Sequence, residues 1–391
     1  MKTLRLDDPD SQDDLQTLNK LISSTRKIVV LTGAGISRNA GIPDFRSSSG
    51  LYKQKYSNGT INCRELFDVS IYRDESTIRL FNEFMQNMYY QKVKCAHPTK
   101  THQFIKYLNS HKKLMRCYTQ NIDGLERRLG MRTEFDQLND WNHIDVVQLH
   151  GDLNTLKCSR CSKKFKWNEI YVNQKGAKED AGFLIACPSC MEEYKKRQKE
   201  GKRCCQSSIG IIRPNIVLYG EEHPYGEILA KNLSKDIIRN PKLFLIFGTS
   251  LKVNGVKNLV RKLCRRIHRN VPDGKVAIIN NTKICQSVWD TYIDYQIVCD
   301  CDDWCDYVES CVPRLSQEPK QQKKRCVKGS KKNSKNEKTN SIKLQKWPEH
   351  ECKGKRKARQ LQNPDALENE RTKDSTRDRD CKRIKREIMV L

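Results

Sequence analysis

The sequence predicts an α/β fold: a doubly wound, Rossmann-like parallel sheet with a small inserted zinc-binding module and a disordered basic C-terminal tail. Three observations lead to this prediction. Short β-branched apolar runs alternate with helical stretches, a glycine-rich loop follows the first of these runs, and two closely spaced cysteine pairs interrupt the rhythm. A chain of 391 residues has room for one large domain or two modest ones.

The fold is predicted to open with a helix and a buried strand. Leu15, Leu18, Leu21 and Ile22 recur at helical spacing, and the apolar run 27–32 that follows is typical of a buried parallel strand. Five similar runs predict further strands, at 114–118, 146–149, 215–219, 243–247 and 275–279. Because helical stretches separate these runs, a parallel sheet covered on both faces is favoured.

Composition divides the chain into three parts. Residues 1–14 are acidic, residues 15–313 carry the predicted α/β domain, and residues 314–391 hold 25 Lys or Arg against 11 Asp or Glu. The last part contributes +14 of the formal net charge of +27 and has few apolar residues, so we expect it to be disordered. Its three basic clusters favour nuclear import or binding to a polyanion, although a solvated charge run without a partner is the alternative.

Two protein classes are disfavoured. Eighteen cysteines would suit a secreted disulfide protein, but the acidic N-terminal segment lacks the apolar stretch of a signal peptide, so we expect a reducing compartment. No run approaches the roughly 20 apolar residues of a membrane span, and we expect no membrane contact.

Four cysteines predict a structural zinc site. Two CxxC pairs separated by 25 residues supply the ligands Cys158, Cys161, Cys187 and Cys190. Four thiolates close the tetrahedral sphere of the metal, so such a zinc ion stabilises the module and does not activate water. The surrounding stretch 157–206 is polar and interrupts the strand pattern. Cys204 and Cys205 lie close enough in sequence to replace one ligand of the second pair, and this register stays open.

The loop after the first strand is a candidate phosphate-binding turn. Gly33 and Gly35 lack a Cβ, so a phosphate could approach the backbone amides there. Arg38 replaces the third glycine of the common dinucleotide fingerprint, so the loop alone is equally consistent with a structural turn. Asp44 and Arg46 follow, and they could fix the loop and neutralise a pyrophosphate. A surface salt bridge is the alternative.

Six motifs, in this order and spacing, resemble the signature set of the sirtuin family. They are GAGIS at 33–37, GIPDFR at 41–46, TQNIDGL at 119–125, LHG at 149–151, RPN with YGE within 213–221, and GTSLKV at 248–253. The resemblance extends over roughly residues 15–312. Stretches such as LYGEEHP at 218–224 resemble the fungal nuclear branch that acts on histone H3.

The resemblance implies an NAD-dependent protein-lysine deacetylase that releases nicotinamide and O-acetyl-ADP-ribose. His150 matches the general base of the family, and Asn121 and Asp123 match catalytic residues that line the nicotinamide and ribose pocket. The other matched NAD positions are Gly33, Ala34, Gly35, Ser37, Asp44, Phe45, Arg46, Tyr52, Gln120, Ile122, Gly248, Thr249, Ser250, Asn280 and Cys301. Before the last of these, Cys299 and Asp300 stand where many members carry a glycine.

The resemblance also implies how the substrate binds. The positions that match a strand edge pairing with the substrate backbone are Val217, Tyr219, Gly220 and Glu221. Our alignment places Phe81 and Phe84 where the branch that removes acidic acyl groups has a Tyr and an Arg, so an acetyl group is favoured. The implied partners are an acetylated lysine of histone H3 and, through the basic tail, chromatin in the nucleus.

Two other functions stay open. A protein mono-ADP-ribosyltransferase would use the same pocket and pass the ribosyl group to a protein. A non-catalytic chromatin adaptor bearing zinc would not need Asn121, Asp123 and His150, all of which are present.

Overall fold

The computed structural model describes residues 1–47, 50–53, 55–56, 61–133, 140–171 and 185–313. These residues all belong to one structural unit. The predicted disordered tail, 314–391, lies outside the described residues.

Strands and helices alternate along most of the described chain. The strands are β1 (Lys2–Leu4), β2 (Ile28–Thr32), β3 (Lys55–Tyr56), β4 (Ile61–Asn62), β5 (Leu114–Thr119), β6 (Val146–Gln148), β7 (Gly151–Cys158), β8 (Lys164–Lys166), β9 (Ile212–Ile216), β10 (Leu243–Phe247), β11 (Lys275–Ile279) and β12 (Tyr295–Ile297). The helices are α1 (Gln12–Ser24), α2 (Glu75–Met88), α3 (Lys100–Ser110), α4 (Leu125–Arg128), α5 (Trp167–Tyr171), α6 (Pro188–Lys199), α7 (Gly226–Ile238), α8 (Asn254–Asn270), α9 (Gln286–Trp289) and α10 (Cys301–Cys311).

The main sheet contains seven strands in the order β1-β12-β11-β10-β2-β5-β6, and every neighbouring pair is parallel. From β2 the chain proceeds to β5 and β6 on one side, and it then returns to build β10, β11 and β12 on the other. The strand order therefore reverses between β2 and β10, which makes the carboxyl ends of these two strands the expected ligand crevice. The predicted doubly wound parallel sheet is confirmed.

Helices cover both faces of this sheet. In β10, Leu243, Leu245 and Phe247 belong to one buried cluster, while Phe244 and Ile246 belong to another. The first cluster includes side chains of α1, α3 and α10, and the second includes side chains of α7, α8 and α9. Strands buried on both faces have continuous apolar sequences, which explains why the apolar runs predict them. Within the described residues, no helix is long and apolar enough to cross a membrane.

The structure corrects one predicted strand. The run 215–219 does not form a strand of the main sheet; the strand there is β9, and it pairs antiparallel with β7 in the small sheet β8-β7-β9. An apolar run indicates burial but does not identify the strand beside which it lies.

Two strands of the main sheet have no counterpart in the predictions from sequence. The three-residue strands β1 and β12 pair with each other at the edge of the main sheet, and β1 lies within the acidic segment 1–14. Three residues are too few for a periodic pattern. The predicted first helix is confirmed as α1, which buries Leu15, Leu18, Leu21 and Ile22.

Candidate active site and metal centre

The loops after β2 and β10 meet backbone to backbone at the strand-order reversal. The Gly33 N–H donates to the Phe247 carbonyl at 2.9 Å, and the Gly35 N–H donates to the Gly248 carbonyl at 2.8 Å. A Cβ on Gly33 would lie 2.6 Å from Thr249 Cβ, and a Cβ on Gly35 would lie 2.6 Å from Gly248 Cα. Larger residues do not fit, so the glycines allow the two loops to pack directly against each other.

A buried hydrogen-bond chain begins beside this contact. Asn121 Nδ2 donates to Ser37 Oγ at 3.1 Å, and the Ser37 hydroxyl donates to Asp123 Oδ2 at 2.7 Å. Asn121 Oδ1 is buried and has no partner among the described residues. An unpaired buried acceptor is costly, so a ligand that brings an N–H donor, such as the carboxamide of nicotinamide, fits here.

His150 lies between β6 and β7 with a defined tautomer. Its Nδ1 is 2.9 Å from the Gln120 carbonyl oxygen, which can only accept, so Nδ1 carries the proton and Nε2 keeps its lone pair. Burial lowers the pKa of His150, and the hydrogen bond to the Gln120 carbonyl only partly opposes this. The ring is therefore neutral at pH 7 and has a free basic nitrogen, as a general base requires.

The residue after His150 has to be glycine. Gly151 has a φ of +84°, and a Cβ there would lie 2.4 Å from the Asn215 carbonyl oxygen. This close approach lets β7 begin directly beside β9, and it fixes the backbone that carries the imidazole.

Gln120 connects the predicted NAD positions on either side of the strand-order reversal. Its Nε2 donates to Thr249 Oγ1 at 3.0 Å and to the Thr32 carbonyl at 3.2 Å. Ser250 directly follows Thr249, and the Ile122 carbonyl accepts a hydrogen bond from the Leu153 amide at 2.8 Å. The structure thus brings the residues after β2, β5 and β10 together.

Two predicted NAD positions lie farther along the sheet. Asn280 follows β11, and its Nδ2 donates to the Thr282 carbonyl at 2.8 Å. Cys301 is the first residue of α10, and its buried thiol lies 3.6 Å from the Ile279 carbonyl. Because this thiol faces the core, a ligand contact at Cys301 would use the main chain.

Asp44 organises the loop that follows the glycines. Its Oδ1 accepts hydrogen bonds from the amides of Arg46 at 2.9 Å and Ser47 at 2.8 Å, and its Oδ2 lies 3.4 Å from Arg38 Nε. Of the roles that the sequence leaves open for Asp44, the contacts match fixing the loop. Arg38, at the position of the missing third glycine, is its ion-pair partner.

Aromatic residues support the rest of this loop. Phe45 packs against Tyr52 and Phe67, with ring centroids 5.5 and 5.3 Å apart. The Arg46 guanidinium lies 5.2 Å from the Tyr52 ring centroid and donates to the Tyr219 hydroxyl at 3.3 Å. Burial, together with a hydrogen bond to Tyr219, raises the pKa of Tyr52, so its hydroxyl stays protonated. Arg46 is thereby held at the mouth of the crevice.

The predicted substrate edge is partly engaged within the protein. The Tyr219 amide donates to the Phe67 carbonyl at 2.7 Å, and its carbonyl accepts from the Val69 amide at 2.9 Å. Glu221 forms a two-point ion pair with Arg213, at 2.6 and 3.0 Å.

The other two positions on this edge differ in how far they are engaged. The Val217 amide donates to the His150 carbonyl at 2.9 Å. Among the described residues no hydrogen bond occupies the main chain of Gly220. The main-chain groups of Gly220 are therefore available to a ligand.

The four predicted zinc ligands converge. Their sulfur atoms all lie within 4.8 Å of one another, and Cys158–Cys190 and Cys161–Cys187 sulfur atoms are each 3.7 Å apart. The amides of Arg160 and Cys161 point at Cys158 Sγ from 3.3 and 3.4 Å. Although burial acts to raise the pKa of the Cys158 thiol, these amides lower it to about 7. Burial raises the pKa of the Cys161 and Cys187 thiols, so the fit to a metal rests on the convergence of the sulfur atoms. Four sulfur atoms this close together fit one structural zinc ion.

The alternative register does not fit. Cys204 Sγ lies 3.2 Å from the Lys202 carbonyl, and Cys205 Sγ lies 2.8 Å from Ser207 Oγ. Neither cysteine belongs to the four-sulfur cluster.

The predictions from sequence do not include several residues of this region. Asn39 Nδ2 donates to Asp300 Oδ1 and to Asp302 Oδ2, at 3.0 and 2.8 Å, and it links the loop after β2 to the start of α10. His102 and Glu126 are buried next to Asp123. No sequence signal identifies these contacts, because the contacting residues are far apart in the chain and belong to no motif with a characteristic spacing.

The chain resembles known proteins along most of its length. The Sir2 family model matches residues 33–255. The chain is 46% identical over 328 residues to the NAD-dependent histone deacetylase HST3 of Saccharomyces cerevisiae, a match that covers 81% of this chain and 72% of that protein. It is 44% identical over 317 residues to the NAD-dependent histone deacetylase HST3 of Candida albicans, covering 78% of this chain and 64% of that protein.

Solved structures agree on the fold. One, described as a Sir2 variant with a deacetylated p53 peptide and 3'-O-acetyl ADP ribose, is 25% identical with a TM-score of 0.56, and the match covers 76% of this chain and 97% of that chain. Another, of Sir2 with a p53 peptide and NAD+, is 24% identical with a TM-score of 0.56, and the match covers 77% of this chain and 99% of that chain.

Proposed function

The chain belongs to the Sir2 family of NAD-dependent protein deacetylases, and we propose that it removes acetyl groups from histone lysines, on histone H3 in particular, in the nucleus. The named activity of the two HST3 proteins supports histones as substrates. The finer assignment to histone H3 is supported by the resemblance of 218–224 to one fungal branch.

The observation that carries this proposal is the state of His150. Its Nδ1–H is held by the Gln120 carbonyl, so the free Nε2 can take a proton from a hydroxyl group. Asn121, with its unpaired buried Oδ1, directly follows Gln120 on the segment after β5. A reaction at a ribose hydroxyl requires a neutral base and an amide that orients the ligand. Here the base contacts Gln120, and the amide belongs to the next residue, Asn121.

When NAD is bound, it supplies the ribose carbon that accepts the acetyl oxygen as nicotinamide leaves. The residues proposed to hold NAD are Gly33, Gly35, Gln120 and the hydrogen-bonded set Asn121, Ser37 and Asp123. The aromatic side chains of Phe45 and Tyr52 would exclude water from the proposed NAD site.

The acyl group is proposed to be acetyl. Phe81 and Phe84 are both buried in the apolar cluster that also contains Phe67 and Leu153. Neither position offers a cation to a carboxylate, so a neutral acyl group is compatible with this cluster.

Chromatin is proposed as the setting in which the protein acts. The excess of +14 in residues 314–391 supports contact with DNA phosphates, because Lys and Arg release counterions from DNA when they bind. The three basic clusters within residues 314–391 also support nuclear import.

Incubation with an acetylated histone H3 peptide, with and without NAD, tests the proposal. The expected products, nicotinamide, deacetylated peptide and O-acetyl-ADP-ribose, should form only with NAD and can be identified by mass. A peptide that gains an ADP-ribosyl group would instead establish mono-ADP-ribosyl transfer. An absence of any NAD turnover would favour the adaptor function.

A further inference from the structure

A buried cluster of three titratable side chains lies next to the candidate active site. His102, Asp123 and Glu126 each place a nitrogen or oxygen atom within 4.8 Å of the others. His102 and Glu126 are 0% exposed, and Asp123 is 3% exposed. Such groups must balance their charge locally, because burial penalises an unpaired ion.

His102 enters the cluster as a neutral ring. The Thr99 amide donates to His102 Nδ1 at 3.2 Å, so Nδ1 carries the lone pair and Nε2 carries the proton. Burial lowers the pKa of His102, which keeps the ring uncharged. Its buried Nε2–H has no partner among the described residues. The histidine therefore brings a donor to the cluster, and it brings no positive charge.

Glu126 is the group without a counter-charge. Both of its carboxyl oxygens are buried and unpartnered within the described chain. Burial first, and then the negative charge of Asp123, raise the pKa of Glu126 to about 8. Asp152 adds to the increase, although its carboxylate is paired with Arg127 at 2.9 Å. At pH 7 the carboxyl group of Glu126 holds its proton.

The remaining neighbour with a titratable side chain does not alter this balance. Burial raises the pKa of the Cys117 thiol well above its usual value, and the charge of Glu126 acts in the same direction. Cys117 is therefore neutral. Near Glu126 the negative charges are those of Asp123 and the paired Asp152.

We propose that Glu126 is a positioning residue for NAD binding: buried beside Asp123, with a carboxyl oxygen within 4.8 Å of it, Glu126 keeps the chain Asp123–Ser37–Asn121 in order. The inference rests on the proposed function. Asp123 Oδ2 accepts from Ser37 at 2.7 Å, and its Oδ1 accepts from the Leu125 amide at 3.1 Å. A rotation of the carboxylate would release Ser37, and with it the amide of Asn121.

Raising the pH removes this order. Above its pKa, Glu126 loses its proton to solvent, so the cluster loses a donor and gains a second negative charge beside Asp123. The two carboxylates then repel each other, and NAD affinity falls. Because Glu126 touches no reacting atom, we expect the change in KM for NAD and not in kcat.

Glu126→Gln is the discriminating variant, because glutamine keeps the shape and an N–H donor but cannot ionise. In the wild type, NAD dissociation constants from calorimetry and KM for NAD should both rise above about pH 8, approaching roughly tenfold per pH unit. In Glu126→Gln both quantities should be flat. The control is Glu227→Gln, an exposed glutamate in the first turn of α7, which should follow the wild type.

Stability gives a second readout that does not depend on NAD. The folded state retains the Glu126 proton up to about pH 8, whereas the unfolded state loses it near the ordinary glutamate pKa of 4.5, so stability falls as pH rises between these values. Glu126→Gln should lack this decrease in denaturant unfolding. If it does not fold, Glu126→Met should bind NAD more weakly than the wild type at every pH, without the alkaline rise.

Three outcomes would overturn the inference. The first is an alkaline rise in the NAD dissociation constant that is equal in the wild type and Glu126→Gln. The second is a flat wild-type profile. The third is a second metal equivalent that is present in the wild type and lost in Glu126→Gln, since the cluster would then be a metal site. Tight NAD binding without deacetylation would contradict the proposed function and leave this inference standing.

Discussion

Strand β10 of the main sheet buries all five of its side chains, whereas helix α6 of the cysteine module buries none of its twelve. The sheet is stabilised by apolar burial on both faces. The module instead closes around four sulfur atoms, in a stretch whose helix is rich in Lys and Glu. One region can fold through its own hydrophobic core, and the other depends on a metal.

The candidate base lies where these two regions join. Strand β7 begins immediately after His150 and ends at Cys158, the first zinc ligand. His150 is held from the sheet side through the Gln120 carbonyl and from the module side through β7. A substitution that disrupts either region should therefore lower catalytic activity, but through different contacts of His150.

Removing the zinc should have the largest effect. Zinc binding supplies about 10–16 kcal/mol in isolated zinc peptides, more than many whole domains have in stability. Cys158→Ser, or chelation, should unfold the module and abolish deacetylation. Amides of β7, β8 and α6 should exchange quickly with solvent deuterium, while those of β10 stay protected.

Two sets of controls belong to this experiment. Cys204→Ser and Cys205→Ser should keep one zinc per chain, because their sulfur atoms lie outside the cluster. Leu245→Ala, in the sheet core, should cost about 2–5 kcal/mol of stability with the zinc retained. Fully active protein without zinc would contradict the dependence of the module on metal.

Removing the candidate base should have a smaller free-energy effect than removing the zinc, and it should leave both regions folded. His150→Ala should lower deacetylation by about 10²–10⁴-fold, while zinc content and melting temperature stay unchanged. His143→Ala, an exposed histidine nearby in sequence, is the matched control and should be fully active. Near wild-type turnover by a folded His150→Ala protein would exclude the role.

The wild-type pH profile sharpens the same test. Since burial lowers the pKa of His150, protonation should inactivate the base only below the usual histidine value of 6.5. The acid limb of kcat/KM should therefore lie below pH 6.5.

Truncation before Arg314 should have the smallest effect on chemistry. All the matched catalytic, NAD and zinc residues precede that position, so turnover of a short acetyl-peptide should be nearly unchanged. Nucleosome binding at low salt and nuclear accumulation should decrease, because +14 of charge is removed. A truncated protein that binds nucleosomes as tightly as the full chain would assign the tail no part in binding.

Motifs that act locally were predictable from the sequence. The glycine loop, the segment 121–123 and the CxxC pairs depend on backbone conformation or on ligand spacing over a few residues. Both properties can be recognised from residues that are close together in the sequence. The buried parallel strands were predictable because burial on both faces requires continuous apolar runs. The strand predicted at 215–219 was placed in the wrong sheet, because hydrophobicity contains no information about which strand is the partner.

The sequence by itself determined the sheet class, the two CxxC pairs as candidate zinc ligands and the protein family to which the site belongs. Only the tertiary structure decided that Cys204 and Cys205 lie outside the metal cluster, that Asp44 pairs with Arg38 and that His102 and Glu126 lie beside Asp123. The physical reason is that hydrogen bonds, ion pairs and pKa values depend on distances of a few ångströms between groups far apart in the chain. Those distances exist only after the chain has folded.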